Sequence, residues 1–141
     1  MIKCFTLSSL FYPLLFFSQS ISSEKLITYA RHQNLNIIEK DLDYKGFITK
    51  KDNVQLGAVK IDNTKIVVEV LFATISSNQN SFAVCYKSPL YYVEKKRSLL
   101  TSNFTFIKES NGTLIYDNPI ANYRIGINDS EQTLCIYTEI K

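Results

Sequence analysis

The sequence predicts a mainly β fold of the α+β class, an antiparallel sandwich or open barrel of about eight strands with one short N-terminal helix. Its composition favours strands, because nine Tyr and nine Phe accompany only four Gly and three Pro. From residue 44 onward the apolar residues recur with a period of two, as in half-buried strands. Short polar turn signals separate these runs, which indicates strands that follow one another closely.

The one predicted helix covers residues 24–33. Ser23 precedes it as a candidate N-cap, and Glu24 suits the positive end of the helix dipole. Asn34 is expected to end it. The apolar stripe of this helix consists of Leu26, Ile27 and Ala30.

The strand expected at the centre of the sheet is the apolar run at residues 64–74. One of its faces is wholly apolar and is predicted to face the core; it consists of Ile66, Val68, Val70 and Phe72. The other face is mixed and carries Glu69 in its middle. Glu69 is therefore expected on a solvated outer face or, alternatively, in a concave site.

Two dipeptides predict tight hairpins in this sheet. Asp62-Asn63 leads into the central strand from a strand at residues 54–61. Asn111-Gly112 lies between two further strand-like runs, and both residue types tolerate the positive φ of a type I′ turn.

The first 22 residues have the order of a secretory signal peptide. Lys3 gives a short positive region, residues 5–17 are mainly apolar, and small residues follow. Cleavage after Ser20 or Ser22 would place a small residue at −3 and −1, and would leave one β-rich domain at 23–141. The apolar run is shorter than the roughly 20 residues of a membrane span. The sequence therefore predicts a secreted or periplasmic protein without a transmembrane segment after cleavage.

Removal of this leader leaves two cysteines, Cys85 and Cys135, in strand-like runs. An even number of cysteines in an exported chain favours a disulfide over two buried thiols. The bridge would close a loop of about 50 residues, which the chain-entropy model values at roughly 4 kcal/mol.

Charge and motifs argue against several classes of protein. The net charge of +3 is too small to predict a nucleic-acid partner. No phosphate-binding, dinucleotide-binding or nucleophile-elbow motif occurs, so we expect neither an enzyme nor a cofactor. Residues 41–52 resemble a calcium-binding EF-hand loop, but Lys45 stands at a ligand position, and a polar turn is favoured. His32, the only histidine, is expected on the helix surface.

Residues 89–97 combine adjacent aromatics with a basic triplet, which predicts a partner-binding strand edge. On a strand, one of Tyr91 and Tyr92 must face away from the core. Such a tyrosine beside cations suits recognition of an acidic protein surface. The predicted contact residues are Tyr91, Tyr92, Lys95, Lys96 and Arg97. The competing interpretation is a strand end followed by a solvated charged turn.

These observations favour an exported small binding protein that recognises another macromolecule, such as a periplasmic inhibitor or an immunity protein against a secreted hydrolase. An extracellular host-interaction or carbohydrate-binding domain is the alternative, and it would fit glycosylation at the sequons that begin at Asn103, Asn111 and Asn128. A small hydrolase using Glu69 is the least favoured, because it would need a second carboxylate nearby.

Overall fold

The computed structural model describes residues 20–141, which form three helices and eight strands. The helices are α1 (Ser23–His32), α2 (Leu35–Tyr44) and α3 (Tyr92–Leu99). The strands are β1 (Ile48–Lys51), β2 (Gln55–Ile61), β3 (Val67–Ser76), β4 (Ser81–Lys87), β5 (Thr105–Ser110), β6 (Thr113–Asn118), β7 (Tyr123–Asn128) and β8 (Thr133–Glu139). Most of the predicted signal peptide, residues 1–19, lies outside the described residues.

All eight strands belong to one antiparallel sheet with the order β1-β2-β3-β4-β8-β7-β6-β5. The sheet does not close. The predicted mainly β fold with about eight antiparallel strands is thus confirmed. Within residues 20–141 the layer that covers the sheet is made of helices: α1 contacts β4 and β8, α2 contacts β1 and β2, and α3 contacts β8.

The sheet consists of two four-stranded meanders that meet at β4 and β8. Each meander follows a helix in the chain, although the sequence shows no repeat. Cys85 and Cys135 are directly opposite each other at this junction, with Cα atoms 4.0 Å apart, and form a disulfide. The predicted bridge therefore joins the first meander to the second.

The N-terminal helices begin with side-chain caps. The Ser22 hydroxyl accepts a hydrogen bond from the Lys25 amide (3.1 Å), one residue earlier than the predicted cap. Asn34, which was expected to end α1, is also the N-cap of α2. Its side-chain oxygen accepts hydrogen bonds from the amides of Asn36 and Ile37. None of the helices in this part of the chain is long and apolar enough to span a membrane.

The core lies between the helices and one face of the sheet. Among its fully buried side chains from the sheet are Leu56, Leu71, Phe82, Tyr86, Ile125, Ile127 and Leu134. Leu26, Ile38 and Leu42 pack against them from α1 and α2. The opposite face of the sheet, which we call the open face, has no helix packed on it among the described elements.

The prediction of which side of β3 faces the core is wrong. Leu71 and Ala73 are buried, whereas the side chain of Phe72 is 54% exposed on the open face. Both sides of this strand carry several apolar residues, so its own alternation does not determine which one is buried. The partner strands decide it, since Ala73 lies opposite Leu56 and Val84 on the side that the helices cover.

The predicted Asn111-Gly112 hairpin is present between β5 and β6. Asn111 has φ 51° and Gly112 has φ 82°, both in the left-handed region. A type I′ turn requires a positive φ at both central residues, so this dipeptide could indicate the turn from the sequence.

Candidate functional site

A continuous row of residues crosses the open face through every strand of the sheet. The pairing register places its members side by side in the order Lys50, Gly57, Phe72, Cys85, Cys135, Gly126, Ile115 and Lys108. We call this set the central row. It is apolar throughout except at its two ends, where a lysine stands on each edge strand. Seven strand spacings give it a length of about 33 Å.

Among the apolar members of the central row, Phe72 is the most accessible, with 54% of the residue exposed. Its ring lies over Gly57 of the neighbouring strand, where an added Cβ would be 3.6 Å from the ring. A surface depression of about 310 Å³ opens next to this ring, and Lys50 and Gln55 contribute to its walls. An exposed aromatic beside a concave surface can contribute contact area with little loss of side-chain entropy.

A second apolar row runs beside the first and extends the exposed surface around Phe72. Ile48, Val59 and Val70 lie opposite one another on β1, β2 and β3, and Lys87 follows on β4. Ile48 is largely exposed, and the two valines are half-buried. This part of the open face therefore has an apolar centre with Lys50 and Lys87 at its border.

On the other meander the open face is better covered and more polar. The Tyr137 ring lies across Gly126, so closely that a Cβ there would be 2.8 Å from it. Arg124 and Asp117 lie opposite each other and form an ion pair with 3.5 Å between Nε and Oδ1. The accessible apolar surface is accordingly concentrated on β1–β3.

The predicted partner-binding residues do not form a strand edge, because Tyr92–Leu99 is helix α3. Glu94 lies in its first turn and Lys96 and Arg97 in its last turn, which suits the helix dipole. Lys95 is buried, contrary to the expectation that the three cations would lie on the surface, and Tyr92 is the one of the two tyrosines that faces the core. Tyr91 is half-buried, and Arg97 is exposed.

The buried members of this group have specific partners. The Tyr92 hydroxyl donates a 2.5 Å hydrogen bond to Oδ1 of Asp129, and Lys96 forms a 2.9 Å ion pair with the same oxygen. The Tyr92 hydrogen bond and the Lys96 cation lower the pKa of Asp129. Burial, with the Asp129 carboxylate, raises the pKa of Tyr92. These contacts fasten α3 to the turn after β7, which is a structural role.

Glu69 is buried in the core and not on a solvated face. Only 2% of this residue is exposed. Its Oε1 accepts hydrogen bonds from the Tyr86 hydroxyl (2.6 Å) and from the Ile21 amide (3.2 Å), while Oε2 is 4.0 Å from Nζ of Lys60. Burial and the adjacent carboxylate raise the pKa of Tyr86, which favours its neutral, donating form.

This environment suits a carboxylate that holds neighbouring segments of the fold together. Its described contacts are hydrogen-bond donors and a cation, which stabilise a buried carboxylate. A glycosidase would place a second carboxylate near it, across a space that holds a sugar. No carboxylate is among the contacts described for Glu69. The burial of Glu69 and its described contacts are those of a structural carboxylate.

The EF-hand-like segment is divided between a helix and a strand. Asp41 and Asp43 lie in the last turns of α2, where Asp41 accepts a hydrogen bond from Tyr29 and Asp43 accepts one from Thr49. Residues 20–141 contain no group of three His, Cys, Asp or Glu side chains that could hold a metal ion. His32 is exposed at the end of α1, as predicted.

Sequence reasoning missed the open face as a candidate surface, since it assigned Phe72 to the core. One available signal was the disulfide. In the sequence, Cys85 and Cys135 alternate with the most apolar residues of their strands and so lie on the opposite side, and Phe72 shares that side through its pairing with Cys85. Comparison with protein-family models, with curated proteins and with solved structures finds no match to this chain.

Proposed function

We propose that this protein is an exported binding protein that recognises another protein through the open face around Phe72. The partner has an apolar contact region with an acidic border. A periplasmic inhibitor or an immunity protein against a secreted hydrolase is the narrower form of this proposal. The signal-like leader and the disulfide support export.

The observation that carries the proposal is the exposed apolar surface of β1–β3. Monomeric soluble proteins seldom leave a contiguous apolar surface uncovered unless it binds something. Here Phe72 and Ile48 are exposed in adjacent rows, on the side of the sheet that no described helix covers. Tight interfaces concentrate their binding energy in such central aromatic anchors.

Cations outnumber carboxylates around this surface, since Lys50 and Lys51 line the depression together with Asp52, and this balance supports an acidic partner. Lys50 stands at the end of the central row, and Lys87 is exposed at the end of the row beside it. Lysines at the border of an interface raise the rate of association with an acidic surface more than they raise final affinity. Arg124 contributes less, since it is paired with Asp117.

Affinity capture with matched variants tests this proposal. The baits are the mature wild-type protein, Phe72→Ala and Phe106→Ala, each applied to the extracellular or periplasmic fraction of the source cells. Phe106 is a suitable control because it is 51% exposed, close to the 54% of Phe72. It lies on β5, the edge strand of the second meander, far from Phe72 on β3. A protein retained by the wild type and Phe106→Ala but lost with Phe72→Ala is the expected result.

Binding kinetics measured with that partner then separate the contribution of the Phe72 ring from that of the bordering lysines. Phe72→Ala should weaken binding by about 2 kcal/mol or more, mainly through faster dissociation. Lys50→Glu with Lys87→Glu should mainly slow association and reduce its salt dependence. If binding instead depends on Tyr91 and Arg97 and not on Phe72, the partner-binding site lies on the helical side and the proposal is wrong. A purified glycan as the retained ligand would also contradict it.

A further inference from the structure

The segment that enters α1 is fixed to the centre of the sheet through one backbone group. The side chain of Ile21 is buried in the core, with 2% of the residue exposed. Its N–H group donates the 3.2 Å hydrogen bond to Oε1 of Glu69, which comes 48 residues later in the chain. The backbone just before α1 is thus hydrogen-bonded to a buried carboxylate of β3.

One cation and one hydroxyl group approach this carboxylate, and a second cation contacts the residue before Ile21. Lys60 approaches Oε2 from β2, and Tyr86 donates to Oε1 from β4. From α3, buried Lys95 donates a 2.9 Å hydrogen bond to the hydroxyl of Ser20 and lies 5.9 Å from the ring centre of Tyr91. A positively charged group at the position of the Ile21 nitrogen would add a direct ion pair with Glu69.

The two predicted cleavage positions differ in what they would remove. Cleavage after Ser22 would take away Ile21, a core side chain, and Ser22, the residue that caps α1. Cleavage after Ser20 keeps both and removes only the hydroxyl that Lys95 contacts. It also makes the Ile21 nitrogen the first atom of the mature chain.

We propose that processing hydrolyses the Ser20–Ile21 bond and that the new α-ammonium group of Ile21 forms an ion pair with buried Glu69. Water supplies a hydroxyl to the Ser20 carbonyl carbon, which leaves as a carboxylate with the leader. The nitrogen of Ile21 takes up both protons of that water molecule and becomes an ammonium group at neutral pH. This inference rests on the proposed export, and it makes removal of the leader a step that strengthens the fold.

The first test is the N-terminal residue of the protein made with its own leader, determined by intact mass and N-terminal sequencing of the exported form. Ile21 as the first residue is expected. A start at Ser23 overturns the inference while leaving export intact. A mature protein that retains Met1 contradicts export itself, so the two failures are distinguishable.

The second test compares chains with defined N-termini, released from a removable fusion. A chain that starts at Ile21 should melt about 4 °C or more above one that starts at Ser20, because only the first places its ammonium group at Glu69. The difference should disappear in Glu69→Gln and persist in Glu94→Gln, whose carboxylate is exposed on α3. Equal melting temperatures, or a difference that survives Glu69→Gln, overturn the ion pair.

The pH dependence gives a readout that does not need a variant. An α-amino group has an ordinary pKa near 8, and pairing with a carboxylate raises it. The advantage of the Ile21 start should therefore be complete below about pH 8 and decline as the pH rises through the folded-state pKa. The other groups near this position are Lys60, Lys95 and Tyr86, and the raised pKa of Tyr86 keeps its hydroxyl neutral over this interval. Acylation of the Ile21 amine should be at least tenfold slower in the folded than in the unfolded chain.

Discussion

At the scale of single residues, two glycines on the open face differ in how much room they leave. A Cβ added at Gly57 would meet the Phe72 ring at an ordinary 3.6 Å, but one added at Gly126 would be 2.8 Å from the Tyr137 ring and 3.1 Å from Thr113. The same substitution is therefore expected to have different effects at two positions of the central row.

We expect Gly126→Ala to lower the free energy of unfolding by about 1–3 kcal/mol, since the Tyr137 ring must move off its position. Gly57→Ala should change it by less than about 1 kcal/mol, because the added methyl group fits. Urea denaturation of both variants provides the measurement. Equal destabilisation by the two would show that close packing over Gly126 does not matter for stability.

The hydrogen bond from Tyr92 to Asp129 predicts a pH-dependent effect. Because this bond and Lys96 lower the pKa of Asp129, their stabilisation exists above the unfolded-state pKa near 4 and is lost as the pH falls through the lowered folded-state pKa. Asp129 is exposed, so screening by solvent keeps the effect small.

Tyr92→Phe should raise the pKa of Asp129 toward its ordinary value, measured by NMR titration of the side-chain carboxyl carbon. At pH 7 the free energy of unfolding should fall by about 0.5–1.5 kcal/mol, with a smaller loss at pH 2. Tyr44→Phe is the control, as Tyr44 is 91% exposed. The pKa of Asp52, lowered by the amides of Val54 and Gln55, should not change. An unaltered Asp129 pKa in Tyr92→Phe would contradict this account.

At the scale of elements, the junction of β4 and β8 holds the two meanders together. The disulfide there closes a long loop, because its cysteines are 50 positions apart in the sequence. Replacing both Cys85 and Cys135 by Ala should lower the free energy of unfolding by about 2–5 kcal/mol. Reduction of the wild type should have a similar effect, measured by guanidinium denaturation. A variant as stable as the oxidised wild type would be inconsistent with a structural bridge.

The elements also show where sequence patterns were sufficient. The hairpin at Asn111-Gly112 and the strand at 54–61 were predictable, because local backbone preferences and alternation act within a few residues. Helix α3 was not predicted, since its aromatic start resembles a strand and its polar residues give little amphipathic pattern. Its position depends on Tyr92 reaching Asp129, a contact across 37 residues.

At the scale of the whole molecule, the number and antiparallel pairing of strands followed from alternation and turns, but the layer that covers them did not. Which side of β3 is buried depends on where α1 and α2 pack. The side that faces the helices carries Glu69 into the core and leaves Phe72 on the open face. A strand with two apolar faces does not carry this information in its own residues. The open face could therefore not be recognised from the sequence of β3 alone.

The arrangement of the sheet explains why the open face is the proposed recognition surface. Helices cover one side, and the central row crosses the other side between lysines on the two edge strands. The disulfide holds the middle of this row in register. A rigid support of this kind lowers the entropic cost of binding through Phe72.

Site-specific photo-crosslinking tests the open-face claim most directly. A photoreactive phenylalanine analogue is placed in turn at the positions of Phe72, Phe106 and Arg97, and each purified protein is irradiated in the extracellular or periplasmic fraction of its source cells. We expect one discrete protein adduct from position 72 and none of that mass from positions 106 and 97. Adducts from position 97 or 106, with none from 72, would contradict recognition through the open face.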